Sequence, residues 1–259
     1  FVHPFDDPLV IAGQGTIGLE ILEDLPDVEA VVVPIGGGGL ISGVAFAIKT
    51  LRPGIKVYGV QAEGAPSMYR SLQEGHSVHL SGVATIADGI CVKEPGVNTF
   101  AFCQKYVDEV VTVSDDEVAA AILALIEKQK LVSEGAGAVS VAAVMFDKLP
   151  VQGKKVCCLV SGGNIDVNML NRVITRGLVK SGRFYTAIIN LADKPGQLSG
   201  VCGIIAQLGG NIISVTHERL DASVEINGCT LRIDMETRNI EHIEQVRQGL
   251  RDAGYKVLN

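Results

Sequence analysis

The stretch Ala30-Val-Val-Val-Pro-Ile-Gly-Gly-Gly-Gly-Leu-Ile-Ser42 joins an apolar β-branched run to four consecutive glycines and an amphipathic pattern. This order predicts a buried strand, a tight turn and a helix that reaches Leu51. A purely structural turn needs one or two glycines, whereas four leave unobstructed amides that can converge on an anion at a helix N-terminus. We therefore predict that Gly36, Gly37, Gly38 and Gly39 bind a phosphate group.

Two nucleotide-binding motifs offer competing interpretations of the glycine-rich segments. Leu40-Ile-Ser42 does not supply the Lys-Ser/Thr of a Walker A loop, so a bound nucleoside triphosphate with magnesium is not expected. Gly13-Gln-Gly-Thr-Ile-Gly18 matches GxGxxG, but the next strand does not end in the acidic residue that would hold a ribose. We interpret this motif as a turn that starts a helix ending near Leu25. A dinucleotide-dependent enzyme remains a rival hypothesis.

The pattern of the first 176 residues alternates short apolar strands with helical segments, which predicts a doubly wound, mostly parallel α/β sheet. The strands are expected at residues 30–35, 56–62, 107–113 and 155–160. The helices are expected at residues 40–51, 67–74, 138–146 and 167–176, with another from the Ser114–Glu117 capping box to about Lys130.

A second glycine-rich segment, Ser161-Gly-Gly-Asn164, follows the fourth predicted strand. Open α/β sheets bind ligands at the carboxyl ends of their strands, so this segment and the four-glycine turn can face one ligand. Taken alone, the Ser161 hydroxyl is as well explained by a helix cap.

Beyond a glycine-bearing connector at residues 177–183, residues 184–259 change to the alternation typical of half-buried strands. Their order is β-α-β-β-α-β, with a hairpin through Asn227-Gly228, and predicts a ferredoxin-like sandwich. The predicted domains are therefore residues 1–176 and 184–259, with 177–183 as the linker.

Composition favours work on a small molecule. The formal charge is -7, and no Lys/Arg cluster offers a surface for nucleic acid or an anionic membrane. No apolar stretch approaches the roughly 20 residues of a membrane span, and no signal peptide pattern is present. The 6 cysteines are scattered, as expected for reduced thiols. A cytoplasmic location is expected.

Six motifs, in chain order, resemble threonine dehydratases of the fold-type II pyridoxal-phosphate group, and several are shared with serine racemase. They are His3-Pro-Phe-Asp-Asp7, Ala12-Gly-Gln-Gly-Thr-Ile17, Gly36 to Leu40, Thr85-Ile-Ala-Asp-Gly89, Glu134-Gly-Ala-Gly-Ala138 and Ser161-Gly-Gly-Asn-Ile-Asp166. Residues 184–259 resemble the single ACT domain that some bacterial members append.

The resemblance implies pyridoxal 5'-phosphate as cofactor, with Gly36 to Gly39 and Leu40 at its phosphate and the Ser161 hydroxyl at its pyridine nitrogen. A neutral hydroxyl does little to keep that nitrogen protonated, which favours loss of a β-hydroxyl over racemisation or transamination. L-threonine would give 2-oxobutanoate and ammonia, and L-serine would give pyruvate. Gly89 and Glu134 would line or support the pocket, although each could equally be a turn or solvated loop residue.

The family's Schiff-base lysine precedes the motif that begins this chain, so no catalytic residue is expected among these 259 residues. The chain starts at Phe1 with loop chemistry, is expected to be part of a longer protein, and should be inactive alone. Gln61 and Ser67 stand where the racemase branch binds a cation, and two neutral side chains make a poor magnesium site. His76 and His79 are expected to be exposed rather than metal ligands.

Resemblance to ACT domains further suggests an amino-acid effector, such as isoleucine or valine, at Asp193, Gly196 and Asn211. Spacing alone suggests only a turn and a helix cap there. A homo-oligomer is expected. Besides the dinucleotide-dependent enzyme, two alternative functions remain open, a non-catalytic amino-acid-binding regulator and a serine racemase-like enzyme.

Overall fold

A computed structural model describes residues 2–219 and 227–259, which form two compact units, Phe1–Ile174 and Thr175–Asn259. The first unit contains a four-stranded sheet in the order β3-β2-β1-β4, with every neighbouring pair parallel. The mostly parallel α/β sheet predicted from the sequence is therefore confirmed. Its strands are β1 (Ala30–Pro34), β2 (Lys56–Ala62), β3 (Glu109–Val113) and β4 (Val156–Cys158).

Helices cover both faces of this sheet. They are α1 (Pro8–Asp24), α2 (Gly39–Leu51), α3 (Ser67–Glu74), α4 (Val97–Tyr106), α5 (Asp115–Ala124), α6 (Gly135–Met145) and α7 (Val167–Lys180), with a 3₁₀ turn at Asp88–Ile90 and a π-helical turn at Leu125–Gln129.

Strand β1 explains how the sheet is buried on both sides. All five of its residues are buried, and their side chains alternate between two cores. Ala30 and Val32 pack with the apolar residues of α5 and α6. Val31 and Val33 pack with those of α1 and α2. The turn that follows β1 therefore leaves from the middle of the sheet.

The GxGxxG segment lies inside α1, so the predicted helix-start turn is wrong. The helix begins earlier, at Pro8, where the Asp7 side chain accepts hydrogen bonds from two main-chain amides. A Cβ on Gly15 would lie 3.2 Å from the carbonyl oxygen of Gly43 in α2, and one on Gly43 would lie 2.2 Å from the Ile11 oxygen. These glycines let two helix backbones approach closely, and the predicted end near Leu25 is confirmed.

Helix α4 was not predicted from the sequence. No side chain next to it in the sequence caps its start, because its N-cap residue is Gly96. Instead, the carboxylate of Asp6 accepts hydrogen bonds from the amides of Val97, Asn98 and Thr99 at 2.9–3.0 Å. A cap supplied from about 90 residues away leaves no local signal. By contrast, the capping box predicted for α5 is present.

The second unit has the element order and sheet order of a ferredoxin-like fold. Its sheet runs β6-β7-β5-β8, with antiparallel neighbours, and its apolar core lies between the sheet and two helices. The predicted hairpin connection Asn227-Gly228 is described, with Gly228 as the first residue of β7, whereas Leu220, the predicted end of the preceding strand, lies outside the described residues together with 221–226. Helix α7 continues to Lys180, past the predicted end near Arg176. The elements are β5 (Phe184–Ala192), α8 (Gln197–Gln207), β6 (Asn211–Glu218), β7 (Gly228–Glu236), α9 (Ile240–Asp252) and β8 (Lys256–Val257).

Within the described ranges, none of the helices combines the length and apolarity needed to cross a lipid bilayer.

Candidate functional site

A cavity of about 290 Å³ lies in the first unit, beyond the carboxyl end of β1. It is lined by every residue that the sequence predicted to bind the cofactor, together with residues from the N-terminal segment, α1, β1, α6 and the region of the 3₁₀ turn. The predicted residues are Gly36, Gly37, Gly38, Gly39, Leu40, Gly89, Glu134 and Ser161, and the others are Pro4, Phe5, Val10, Gln14, Pro34, Ile90, Val92 and Ala136.

The four-glycine turn carries the chain from β1 into α2. Gly38 is the N-cap of α2 and has φ 99°, a left-handed conformation that favours glycine. Among the described residues, no side chain caps this helix. The amides of its first turn are therefore left to an anionic ligand, which the helix dipole also favours.

The turn is held from behind by Thr99 of α4. Its buried hydroxyl donates a 2.6 Å hydrogen bond to the carbonyl oxygen of Gly37. A Cβ added to Gly38 would lie 2.8 Å from the Thr99 Cβ. Because Asp6 caps α4, the turn is positioned by the start of the chain as well as by β1.

Phe5 is a lining residue to which sequence reasoning gave no role. A Cβ on Gly37 would lie 2.4 Å from the Phe5 ring, and one on Gly39 would lie 2.8 Å from the Phe5 carbonyl oxygen. Gly37 and Gly39 therefore allow Phe5 to pack closely against the turn, and they also leave the main-chain amides unobstructed. The signal that could have identified Phe5 is its position in His3-Pro-Phe-Asp-Asp7, the first motif of the family resemblance.

Ser161 reaches the cavity because the chain after β4 stays beside β1. The amide of Leu159 donates to the Val32 carbonyl at 2.9 Å, two residues before Ser161. The Ser161 hydroxyl has no hydrogen-bond partner among the residues that the structure describes, so it is available to a ligand. Helix α6 packs closely here, since a Cβ on Gly137 would lie 2.2 Å from the Ser161 carbonyl oxygen.

Glu134 fixes the Ser161 segment. One carboxylate oxygen accepts a 3.1 Å hydrogen bond from the Asn164 amide, and the Glu134 amide donates to the Gly162 carbonyl at 3.3 Å. Gly162 has φ 83°, and a Cβ there would lie 2.3 Å from the other carboxylate oxygen. Gly89 packs on the same side chain, with 3.1 Å between its added Cβ and that oxygen. Gly89 and Glu134, the two residues predicted to line or support the pocket, therefore pack against each other.

The remaining residues singled out from the sequence lie elsewhere. Gln61 is fully buried, donates to the Ile35 carbonyl at 3.3 Å and accepts from the Tyr69 amide at 2.8 Å. His79 is exposed and lies 2.9 Å from a carboxylate oxygen of Glu94. His76 is also exposed, and Ser67 is buried. Asp193, Gly196 and Asn211 belong to the second unit.

The cavity suits a small ligand with an anionic end. Free amides and a helix N-terminus lie at the glycine turn, and a neutral hydroxyl lies at Ser161. Glu134 is the single ionisable side chain among the described lining residues, so no lysine or arginine competes for the anion. These groups fit the phosphate and ring nitrogen of pyridoxal phosphate.

Comparisons with known proteins agree with this geometry. Residues 1–162 match the family of pyridoxal-phosphate dependent enzymes. The chain is 55% identical over 257 residues to an L-threonine ammonia-lyase of Thermotoga maritima, covering 99% of this chain and 64% of that protein. The chain thus spans less than two thirds of the length of this relative.

Two solved structures are each similar to about two thirds of the chain. A processed threonine deaminase isoform from Solanum lycopersicum has a TM-score of 0.64 and 44% identity, covering 68% of this chain and 52% of that one. Maize serine racemase has a TM-score of 0.62 and 35% identity, covering 67% and 55%. With the parallel sheet, the ligand cavity and the match over residues 1–162 in agreement, the chain belongs to the pyridoxal-phosphate dependent enzyme family, whose cofactor is pyridoxal phosphate.

Proposed function

We propose that this protein is a threonine ammonia-lyase, which converts L-threonine to 2-oxobutanoate and ammonia and acts on L-serine as a side activity. One observation carries the proposal, namely that all the residues predicted to contact the cofactor line a single cavity. The similarity to the L-threonine ammonia-lyase of Thermotoga maritima over nearly the whole chain supports the choice of substrate.

In this proposal the glycine turn binds the phosphate. The amides of Gly36 to Gly39 and of Leu40 donate to its oxygens, and the α2 dipole stabilises its charge where no cationic side chain lines the described cavity. Glycine at these positions keeps side chains out of the binding surface while allowing Phe5 to pack against the turn. The affinity therefore depends on backbone geometry.

At the other end of the cofactor, Ser161 would meet the pyridine nitrogen. When bound, pyridoxal phosphate supplies an electron sink for the electrons released as the substrate's α-proton is removed. A hydroxyl partner is neutral, so it leaves this sink weaker than a carboxylate would. Such tuning favours prompt expulsion of the β-hydroxyl. Glu134 acts as a positioning residue, because it holds the Ser161 segment through the Asn164 amide.

We further propose that the Schiff-base lysine is not among these 259 residues. No lysine lines the cavity in the described parts of the chain. The isolated chain should then bind pyridoxal phosphate without forming a covalent bond to it, and should show no steady production of 2-oxobutanoate.

The test has two parts. First, equilibrium dialysis and absorbance should show one saturable pyridoxal-phosphate site on this chain. Treatment with borohydride should not attach the bound cofactor covalently to the protein. Second, the natural protein, purified from the organism that produces it, should release 2-oxobutanoate from L-threonine faster than it releases pyruvate from L-serine. Absence of cofactor binding, or steady turnover by the 259-residue chain alone, would overturn the corresponding part.

The similarity to maize serine racemase makes racemisation the alternative to test. The hydrogen bonds of Gln61 support the lyase, because both ends of its amide are engaged by main-chain groups rather than free for a cation. Chiral chromatography distinguishes the two reactions, since D-serine as the main product from L-serine would favour the racemase.

For the second unit we propose an ACT regulatory domain at residues 184–259, joined through 177–183 to the cofactor domain at 1–176. The sheet order β6-β7-β5-β8 supports this assignment. Gly196, with φ 91°, begins α8 beside Asp193, and the Asn211 side chain donates to Glu236 at 2.8 Å. An amino-acid effector at these residues, a homo-oligomer and a cytoplasmic location complete the proposal. Isothermal titration with isoleucine and valine, compared with alanine, tests the effector site.

A further inference from the structure

Three potential metal ligands converge in the second unit. They are Asp193, His217 and Cys229, and their ligand atoms all lie within 4.8 Å of one another. His217 Nε2 lies 4.0 Å from Asp193 Oδ1. Cys229 is buried, whereas the other two side chains are exposed. This was not predicted from the sequence, where the three residues are far apart.

The strand register explains why these side chains share one face. His217 pairs with Leu231 across β6 and β7, and Leu191 pairs with Cys229 across β5 and β7. Residues opposite one another in an antiparallel sheet point to the same side, as do residues two apart in one strand. Cys229 therefore shares the face of the core residue Leu231, and Asp193 follows two residues after Leu191.

We propose that Asp193, His217 and Cys229 form a binding site for a divalent transition metal, with zinc as the best fit. A carboxylate, an imidazole and a thiolate are all zinc ligands, and a mixed set with sulfur disfavours magnesium and calcium. Tetrahedral zinc holds its ligand atoms roughly 3.3–3.8 Å apart. Side-chain shifts of about 1 Å would bring the observed cluster to that spacing. A solvent molecule would complete the coordination at the exposed side.

The Asp193 carboxylate is already oriented for this role. Its Oδ2 forms an ion pair with Arg219 Nε at 3.1 Å, while Oδ1 lies 4.0 Å from His217 Nε2. A second partner that holds a ligating carboxylate in place is a common feature of metal sites. Oδ2 would thus pair with the Arg219 guanidinium, and Oδ1 would bind the metal.

Metal binding at this site is coupled to loss of the Cys229 thiol proton. On binding, the Sγ–H bond breaks, the proton goes to solvent and Sγ donates its electron pair to the metal. One carboxylate, one thiolate and the Arg219 guanidinium then leave a net single negative charge to meet the cation.

Cobalt substitution tests the site in the complete 259-residue chain, kept reduced and stripped with a chelator. CoCl2 should bind at one equivalent and produce a thiolate-to-cobalt charge-transfer band with intense visible bands of four-coordinate cobalt. Zinc should displace it, and binding should release a proton. Cys229→Ser should abolish the charge-transfer band, and His217→Gln should weaken cobalt affinity by more than about 100-fold, beyond what loss of an outer partner causes.

Cys202→Ser is the matched control, because Cys202 is a free cysteine of the same unit that belongs to α8. It should leave the titration unchanged. His217 is exposed, so its replacement keeps the test valid if Cys229→Ser fails to fold. Lack of saturable cobalt binding at millimolar concentration, or an unchanged band in Cys229→Ser, would overturn the proposal. No outcome depends on lyase activity or on the effector site.

Discussion

The Thr99 hydroxyl donates a 2.6 Å hydrogen bond to the Gly37 carbonyl oxygen, linking α4 to the glycine turn inside the protein. The same turn is approached from another side by Phe5. The proposed phosphate site thus depends on contacts with residues that do not bind the phosphate. Substitution of these supporting residues therefore tests the rigidity of the glycine turn without changing the amides that bind the phosphate.

Replacing Thr99 with valine should weaken pyridoxal-phosphate binding by roughly 10-fold and lower the free energy of unfolding by about 1–2 kcal/mol, because the Gly37 carbonyl keeps only the longer, 3.4 Å hydrogen bond from the Gly96 amide. Thr99→Ser keeps the hydroxyl and should retain most of both. Dialysis and urea denaturation measure the two effects. A loss in Thr99→Ser with little or no loss in Thr99→Val would mean that the methyl group, rather than the hydrogen bond, holds the turn.

Gly37→Ala should lower the free energy of unfolding by about 1–3 kcal/mol, because the added methyl overlaps the Phe5 ring. Cofactor affinity should fall with it. Gly13→Ala is the control, since a Cβ there has no neighbour within 4 Å and the residue lies in α1. It should be neutral or stabilise by up to about 1 kcal/mol. Thermal melts with and without cofactor compare the two variants, and a harmless Gly37→Ala would contradict the packing described.

Acid should destabilise the first unit partly through Asp108. Burial alone would raise the pKa of this carboxyl, but hydrogen bonds and ion pairs with Lys49 and Lys56 lower it below its ordinary value of 3.8. A depressed folded-state pKa contributes stability above the unfolded pKa, and that contribution is lost as the pH falls through the folded value. Between about pH 5 and pH 2, Asp108→Asn should therefore show a shallower loss of stability than the unmodified chain. Exposed Glu20→Gln is the control and should leave the slope unchanged.

Buried Cys103 and half-buried Cys158 should resist alkylation. Burial raises the pKa of Cys103 to about 12 and that of Cys158 to about 11, so neither forms the reactive thiolate near neutral pH. Iodoacetamide followed by peptide mass spectrometry should label half-buried Cys91 and Cys202 first and should label all 6 cysteines only after denaturation. Early labelling of Cys103 would show that α4 opens in the native protein.

Local pattern was enough for much of the fold and the candidate site. An apolar run followed by glycines predicted β1, its turn and α2, and the Ser114 capping box predicted the start of α5. The two glycine-rich strand exits were expected to meet, and they do line one cavity. These features depend on residues close in sequence and on the geometry of parallel sheets.

Long-range packing decided the rest. The glycine motif of α1 predicted a turn when considered alone, yet its Gly15 serves the contact with Gly43 of another helix. Asp6 caps α4 from a distant part of the chain, which no local motif records. Cys229 and His217 come together because antiparallel register fixes which side chains share a face. Hydrogen bonds and packing between distant residues exist once the chain has closed its loops, so only the tertiary structure could place them.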